Sequence, residues 1–434
     1  MPSPRRALGA DDVAAMAGRC FRPPDPEPGP EKIGLEFEWL TISARNPDDR
    51  LDLRALQVAA AAGGDLPGGG TVTFEPGGQL ELNTGPTVGL DAACDAAHTD
   101  ARELSRRMER VGVALVPIGL DAFRPPRRVL TTGRYDAMEA AFDAKGPHGR
   151  RMMCNTAALQ VNVDLGPGDP CGRWRLAHAI GPTMIACFAN SPFGEDAGTG
   201  RPSGWGANRL ATWWGIDPSR TAAPALTDDP ADTWLRYALA ANVLLIRTDP
   251  EGEGEGQGEG VTVPVLRPFS FAEWMTDGHP AGWPTADDFA YHLTTLFPPV
   301  RPRQWLELRM LDAVDATIWP VAVAVIVTLL TDPDVVPFAV AATADTAGLW
   351  PEAARDGLAH PDLARSAEAC FAAAVAALAR TGASTGLCDA VGEYADRYVA
   401  RRRCPADDRL DEWHAVGRLL PEGNPIDKAA AWAS

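Results

Sequence analysis

The chain has 434 residues and is acidic, with 58 Asp and Glu against 40 Lys and Arg and a formal net charge of −18. It exceeds the roughly 250–300 residues at which a single hydrophobic core stops growing, so a catalytic region (1–332) with a helical extension (333–434) is expected. The charge argues against a nucleic-acid partner, since no basic cluster exceeds Arg401–Arg403 or Arg150–Arg151.

In chain order, residues 10–20 read as a short helix, and a proline-rich lead (23–30) runs into Ile33–Leu40. There Leu35, Phe37 and Trp39 alternate with Glu36 and Glu38, the period-two pattern of a strand with one apolar and one acidic face. Residues 51–62 suggest a helix and 63–70 a loop. The run Thr71–Asn83 carries the same alternation on both sides of Pro76-Gly77-Gly78. A three-residue hairpin there sets Glu75 opposite Gln79, Thr73 opposite Glu81 and Phe74 opposite Leu80. Helix is expected over 89–111 and 133–144, with an apolar strand at 113–118 between them. Thr156–Asp164 then reads as a strand with Gln160, Asn162 and Asp164 on one face and Val161 and Val163 on the other.

Residues 172–190 and 206–214 suggest helices, and Asp217-Pro218-Ser219-Arg220-Thr221 a turn. A helix-to-strand segment, 234–247, pairs with 261–266. The Gly/Glu alternation at 251–260 between them cannot bury a core and is expected to form a mobile loop. Thr285-x-x-Asp288 opens a helix as a capping box. Arg301–Asp312 reads as one strand with Arg303, Glu307 and Arg309 on a shared face, followed by a buried helix at 317–330. Beyond Pro333 only helices are expected, at 335–347, 363–380, 387–402 and 409–419. Acidic-faced strands followed by helices define an α+β class.

If Glu36, Glu38, Glu75, Glu81 and Glu307 meet on one face, they repel. Two carboxylates 4 Å apart cost roughly 4 kcal/mol at an effective dielectric of 20, against a typical stability of about 5–15 kcal/mol. Divalent cations relieve the conflict, and oxygen ligands suit Mg²⁺. Carboxylates beside arginines suit phosphoryl transfer. There is no P-loop and no G-x-G-x-x-G after a strand, so a nucleotide would lie on a sheet. The competing structural reading is that each Glu-x-Glu face is an ordinary solvated side of a sheet. The seven histidines form no ligand pair, and no nucleophile triad is signalled. Eight cysteines without a C-x-x-C, no apolar leader at the N-terminus and no apolar run of about 18 residues point to a reduced, cytoplasmic protein without a membrane span.

Five segments together resemble the glutamate–cysteine ligase family, in its actinobacterial branch serving ergothioneine biosynthesis. They are Gly34–Glu38, Thr73–Leu82, Met152–Asp164, Asp217–Thr221 and Leu306–Asp312. The resemblance implies a glutamine-synthetase-like fold, a curved and mainly antiparallel sheet forming a funnel with outer helices. It implies Glu36, Glu38, Glu75, Glu81 and Glu307 as ligands of two or three Mg²⁺ ions, replaceable by Mn²⁺. Arg303, Arg309 and Glu307 become catalytic, and Arg220, Gln160, Asn162, Gln79 and Asn83 contact substrate. The implied reaction joins L-glutamate to L-cysteine with ATP through γ-glutamyl phosphate. Three alternatives stay open: a ligase of the same fold with another amine, a non-catalytic binder of glutamate or nucleotide, and a glycoside hydrolase using paired carboxylates. The oligomeric state, monomer or small homo-oligomer, is not readable.

Overall fold

The structure is a computed structural model and describes residues 8–22, 30–122, 124–166, 170–194, 200–248 and 261–416. The expected Gly/Glu loop lies outside these residues. Among the described residues there are ten strands: β1 (Lys32–Ser43), β2 (Thr71–Phe74), β3 (Leu80–Asn83), β4 (Thr87–Val88), β5 (Val113–Val116), β6 (Ala158–Asp164), β7 (Leu245–Thr248), β8 (Val261–Pro264), β9 (Val300–Pro302) and β10 (Trp305–Asp312). Eight form one sheet in the order β2-β3-β1-β6-β10-β9, with β4 and β5 pairing along the two ends of β1. These ten strands pair with one another only in antiparallel fashion. β7 and β8 pair separately, as expected for the segments flanking the Gly/Glu run.

Alternation along the strands decides which side is covered. Leu35, Phe37, Trp39, Leu80, Leu82, Val161, Val163, Leu306 and Leu308 are each 4% exposed or less. They pack under the helices Leu90–Glu109, Pro170–Phe188 and Trp319–Thr331. The Trp319 ring meets Phe37 edge-on at 5.0 Å. Burying each such side chain is worth about 1.5–3 kcal/mol, which fixes register, because a one-residue slip would turn the glutamates into this core. Buried residues on both sides of position 332 belong to one continuous cluster, so the later helices share the core of the sheet. Among the described residues, every regular element after 333 is a helix, and no single helix is long and apolar enough to cross a membrane.

The hairpin of β2 and β3 forms in the anticipated register, with Thr73 opposite Glu81 and Phe74 opposite Leu80. The Glu75 N–H donates to Gln79 O at 2.9 Å. Its turn packs so tightly on the helix His148–Asn155 that a Cβ on Gly77 would lie 2.1 Å from the Cys154 carbonyl oxygen. That helix is absent from the sequence reading, as is Trp350–Asp356. Two further differences bear on the site. Arg301–Asp312 is not one strand but the hairpin β9–β10, reversing at Gln304, whose φ is 69°. The Asp217–Thr221 segment forms a helical turn capped by the Asp217 carboxylate.

Candidate active site

The uncovered face of the sheet forms the floor of a cavity of about 390 Å³. Register brings its acidic groups together: β1 sets Glu38 beside Glu81 of β3 and Glu36 beside both Asn83 and Gln160, and Glu75 stands at the end of β2. One carboxylate oxygen from each of Glu38, Glu75 and Glu81 lies within 4.8 Å of the others. Glu38 is oriented by the Ala158 N–H at 2.9 Å and the Gln160 amide at 3.3 Å. Glu81 accepts from Thr73 at 2.7 Å and Asn83 at 2.6 Å. Burial, and then neighbouring carboxylates, raise three pKa values on this floor: Glu38 to about 7 with Glu81 beside it, Glu75 well above the usual range beside Glu38, and Glu36 upward beside Glu307. At 4.8 Å each ionised pair costs roughly 3–4 kcal/mol at an effective dielectric of 20. Three oxygen donors held this close, with their charge opposed, fit a hard divalent cation.

A basic wall faces this floor. The Glu307 side chain is 1% exposed and is gripped by arginines. Arg301 donates through Nε at 2.5 Å and NH2 at 3.0 Å, Arg309 approaches at 3.2 Å and Arg303 at 3.6 Å. Burial pushes its pKa up, but the Arg309 and Arg301 guanidiniums outweigh it and hold it at about 2. Expected as a metal ligand, Glu307 is in this structure the counter-ion of the arginines, with both oxygens accepting from Arg301. Arg309 also donates to Gln160 Oε1 at 2.7 Å, which links the basic wall to the amide that orients Glu38. Arg301 also lines the cavity, and the strand reading did not single it out. It reaches Glu307 only because the reversal at Gln304 pairs the two in register.

The other expected residues divide. Gln160 and Asn83 line the cavity beside the carboxylates. Asn162 holds Glu36 at 3.0 Å and accepts from the Trp305 indole at 3.1 Å, acting behind the carboxylate rather than on a ligand. Gln79 touches the cavity, but its amide donates to Thr156 O at 2.9 Å and accepts from the Gly77 N–H at 3.0 Å, which fixes the hairpin turn. Arg220 is not among the residues that line this cavity. It is fully buried, and its guanidinium is spent on Asp217, Thr295 and the Asn242 carbonyl, away from the cavity. Arg134, Tyr135, Trp213 and Phe297 also line the cavity, from helices and a loop distant in sequence.

The chain thus presents an antiparallel sheet backed by helices, with acids and arginines on its open face. Its fold is similar to a glutamate–cysteine ligase of Francisella tularensis solved in complex with AMP, at a TM-score of 0.52 and 11% identity over 90% of this chain and 86% of that one. The model of glutamate–cysteine ligase family 2 (GCS2) matches residues 32–422, and the chain belongs to this family. It is 42% identical over 395 residues to glutamate–cysteine ligase EgtA of Mycolicibacterium smegmatis, covering 89% of this chain and 88% of that protein. It is 40% identical to EgtA of Mycobacterium tuberculosis over 414 residues, covering 93% and 86%. The chloroplastic glutamate–cysteine ligase of Arabidopsis thaliana is 30% identical over 256 residues, covering 56% and 45%.

Proposed function

We propose that the funnel joins the γ-carboxylate of L-glutamate to the amine of L-cysteine at the expense of ATP, giving γ-glutamylcysteine for ergothioneine formation. An oxygen of the γ-carboxylate attacks the γ-phosphorus, and the bond from phosphorus to the bridging oxygen of ADP breaks. The cysteine amine then attacks the acyl carbon, the bond from carbon to the phosphate oxygen breaks, and the surplus proton leaves to water. The observation that carries this reading is the pairing of two opposite sets on one floor, the Glu38–Glu75–Glu81 triad and the arginines around Glu307.

Each set has a separate task. Glu38, Glu75 and Glu81 would hold Mg²⁺, with Glu36 on the same face left for a second ion. An ion held there would neutralise phosphate oxygens, so that two anionic substrates could meet. Arg309 and Arg303 receive the charge that develops on the phosphoryl oxygens. Arg301 holds Glu307, and Glu307 holds Arg309, so that no reorganisation is needed as that charge forms. The apolar side of the cavity, at Phe297 and Trp213, keeps water from the acyl phosphate.

The test is ADP release from Mg-ATP, with glutamate, cysteine and the metal omitted in turn. Release should need all three, and the product should have the mass of γ-glutamylcysteine. Equal release without glutamate, or in excess EDTA, would exclude the reading.

A further inference from the structure

The strand β10 is not regular. Its register with β6 shifts between Leu308, opposite Val161, and Leu311, opposite Leu159, so Arg309 and Met310 together stand against Gln160 alone. A bulge of this kind bends the strand and re-aims a side chain. Here Met310 and Leu311, neighbours in sequence, both enter the core at 1% exposure. Arg309 turns instead to the floor and donates to Gln160 at 2.7 Å.

The bulge is gripped by Arg209, on the helix Asn208–Trp214. Its NH2 donates to the Arg309 carbonyl at 3.2 Å and the Leu311 carbonyl at 2.8 Å, and its Nε donates to Asp312 Oδ1 at 2.8 Å. The Arg209 and Asp312 side chains are 3% and 0% exposed. Asp312 Oδ2 accepts from the Asn190 N–H at 2.8 Å and from Ser191 Oγ at 2.7 Å, and Ser191 Oγ in turn accepts the Arg209 N–H at 3.0 Å. A buried ion pair seldom stabilises a fold more than well-packed apolar side chains of the same volume, so stability alone does not call for this one. A rigid guanidinium fork that spans two carbonyls and a carboxylate does something apolar groups cannot: it fixes the backbone in one shape.

We propose that Arg209 and Asp312 are a positioning pair for phosphoryl transfer, an inference that rests on the ligase reading above. They hold the β10 bulge in the shape that aims Arg309 at the transferring group, and Arg209 acts through Arg309 without touching substrate. Lysine at 209 keeps the charge but cannot span both carbonyls and the carboxylate, so Arg309 loses its fixed aim. Because Arg309 meets charge that develops only in the transition state, the loss should fall on kcat and spare KM.

The experiment is a double-mutant cycle read in kcat and KM of ADP release dependent on glutamate and cysteine. Enzyme is used at a concentration that follows Arg309→Ala, expected to be about 10²–10³-fold slower. Arg209→Lys should lower kcat by about tenfold or more, with each KM within about threefold of wild type. In the Arg309→Ala background the same substitution should cost less than about threefold, since the group it positions is gone. A wild-type kcat in Arg209→Lys, or an equally large loss in both backgrounds, overturns the proposal and leaves the ligase reading standing. So does a change confined to the KM for cysteine, which would make Arg209 a substrate contact; it borders a small space beside the funnel together with Glu38 and Arg309. If Arg209→Lys does not fold, Ser191→Ala loosens Asp312 while leaving the ion pair in place, and it carries the same cycle with an expected loss of about threefold or more. A wild-type enzyme that releases no ADP overturns both readings.

Discussion

Glu307→Gln and Glu75→Gln remove one charge each from the same floor, and their effects on the metal-free protein should have opposite signs. Glu307 has a pKa of about 2 against an ordinary 4.5, a shift equivalent to about 3 kcal/mol at about 1.4 kcal/mol per unit. Its side chain is 1% exposed, so little of that is lost to solvent screening. Because the folded-state pKa is depressed, this stability is present above the ordinary value and is lost as pH falls through about 2. Glu307→Gln should therefore cost about 3 kcal/mol at pH 7 and roughly half that at pH 3. Glu75 lies on the other side of the balance. Burial, then Glu38 and Glu81, raise its pKa well above the usual range, so its contribution is present at low pH and lost as pH rises through the folded-state value. Glu75→Gln should stabilise the metal-free protein at pH 8. Urea unfolding in EDTA at the three pH values reads both. A Glu307→Gln protein as stable as wild type, or a Glu75→Gln protein less stable, would refute the division of the floor into a strained acidic set and a neutralised one.

Arg301→Lys keeps the charge but loses the two-point grip on Glu307, so kcat should fall by tenfold or more while Arg301→Ala falls further; equal activity of Lys and wild type would dismiss the clamp. Asp217 is opposed by burial but is held at about 2 by Lys145, Ser219 and Arg220. Asp217→Asn should cost about 2 kcal/mol at neutral pH, a difference that closes as pH falls from about 4 towards 2 in urea titrations. Gly77→Ala places a Cβ 2.1 Å from a backbone oxygen, so the hairpin must shift; a melt several degrees lower together with weakened Mg²⁺ binding is expected, and a silent substitution would show that the turn is free to move.

The parts of the site legible in the sequence were those set by short-range alternation. Glu36 and Glu38, the Pro-Gly-Gly turn and the pairing of Thr73 with Glu81 all follow from a period of two and turn chemistry. Arg301 was hidden because the reversal at Gln304 uses a positive φ on a residue that is not glycine, leaving no punctuation to mark it. The place of Arg220 was not legible, because an arginine in a capped turn serves equally as a ligand contact or as an internal tie; in the fold it is fully buried. Trp213, Tyr135 and Arg134 reach the funnel through tertiary packing, for which no local pattern exists. The helix His148–Asn155 is short and begins after Pro147 without a side-chain cap, so it carries no start signal.

The most direct measurement follows oxygen. With L-glutamate labelled by ¹⁸O in its γ-carboxylate, turnover with ATP and cysteine should place one labelled atom in each inorganic phosphate released. Phosphate free of label, with the displaced labelled oxygen found instead in AMP or water, would contradict an acyl phosphate formed on this floor.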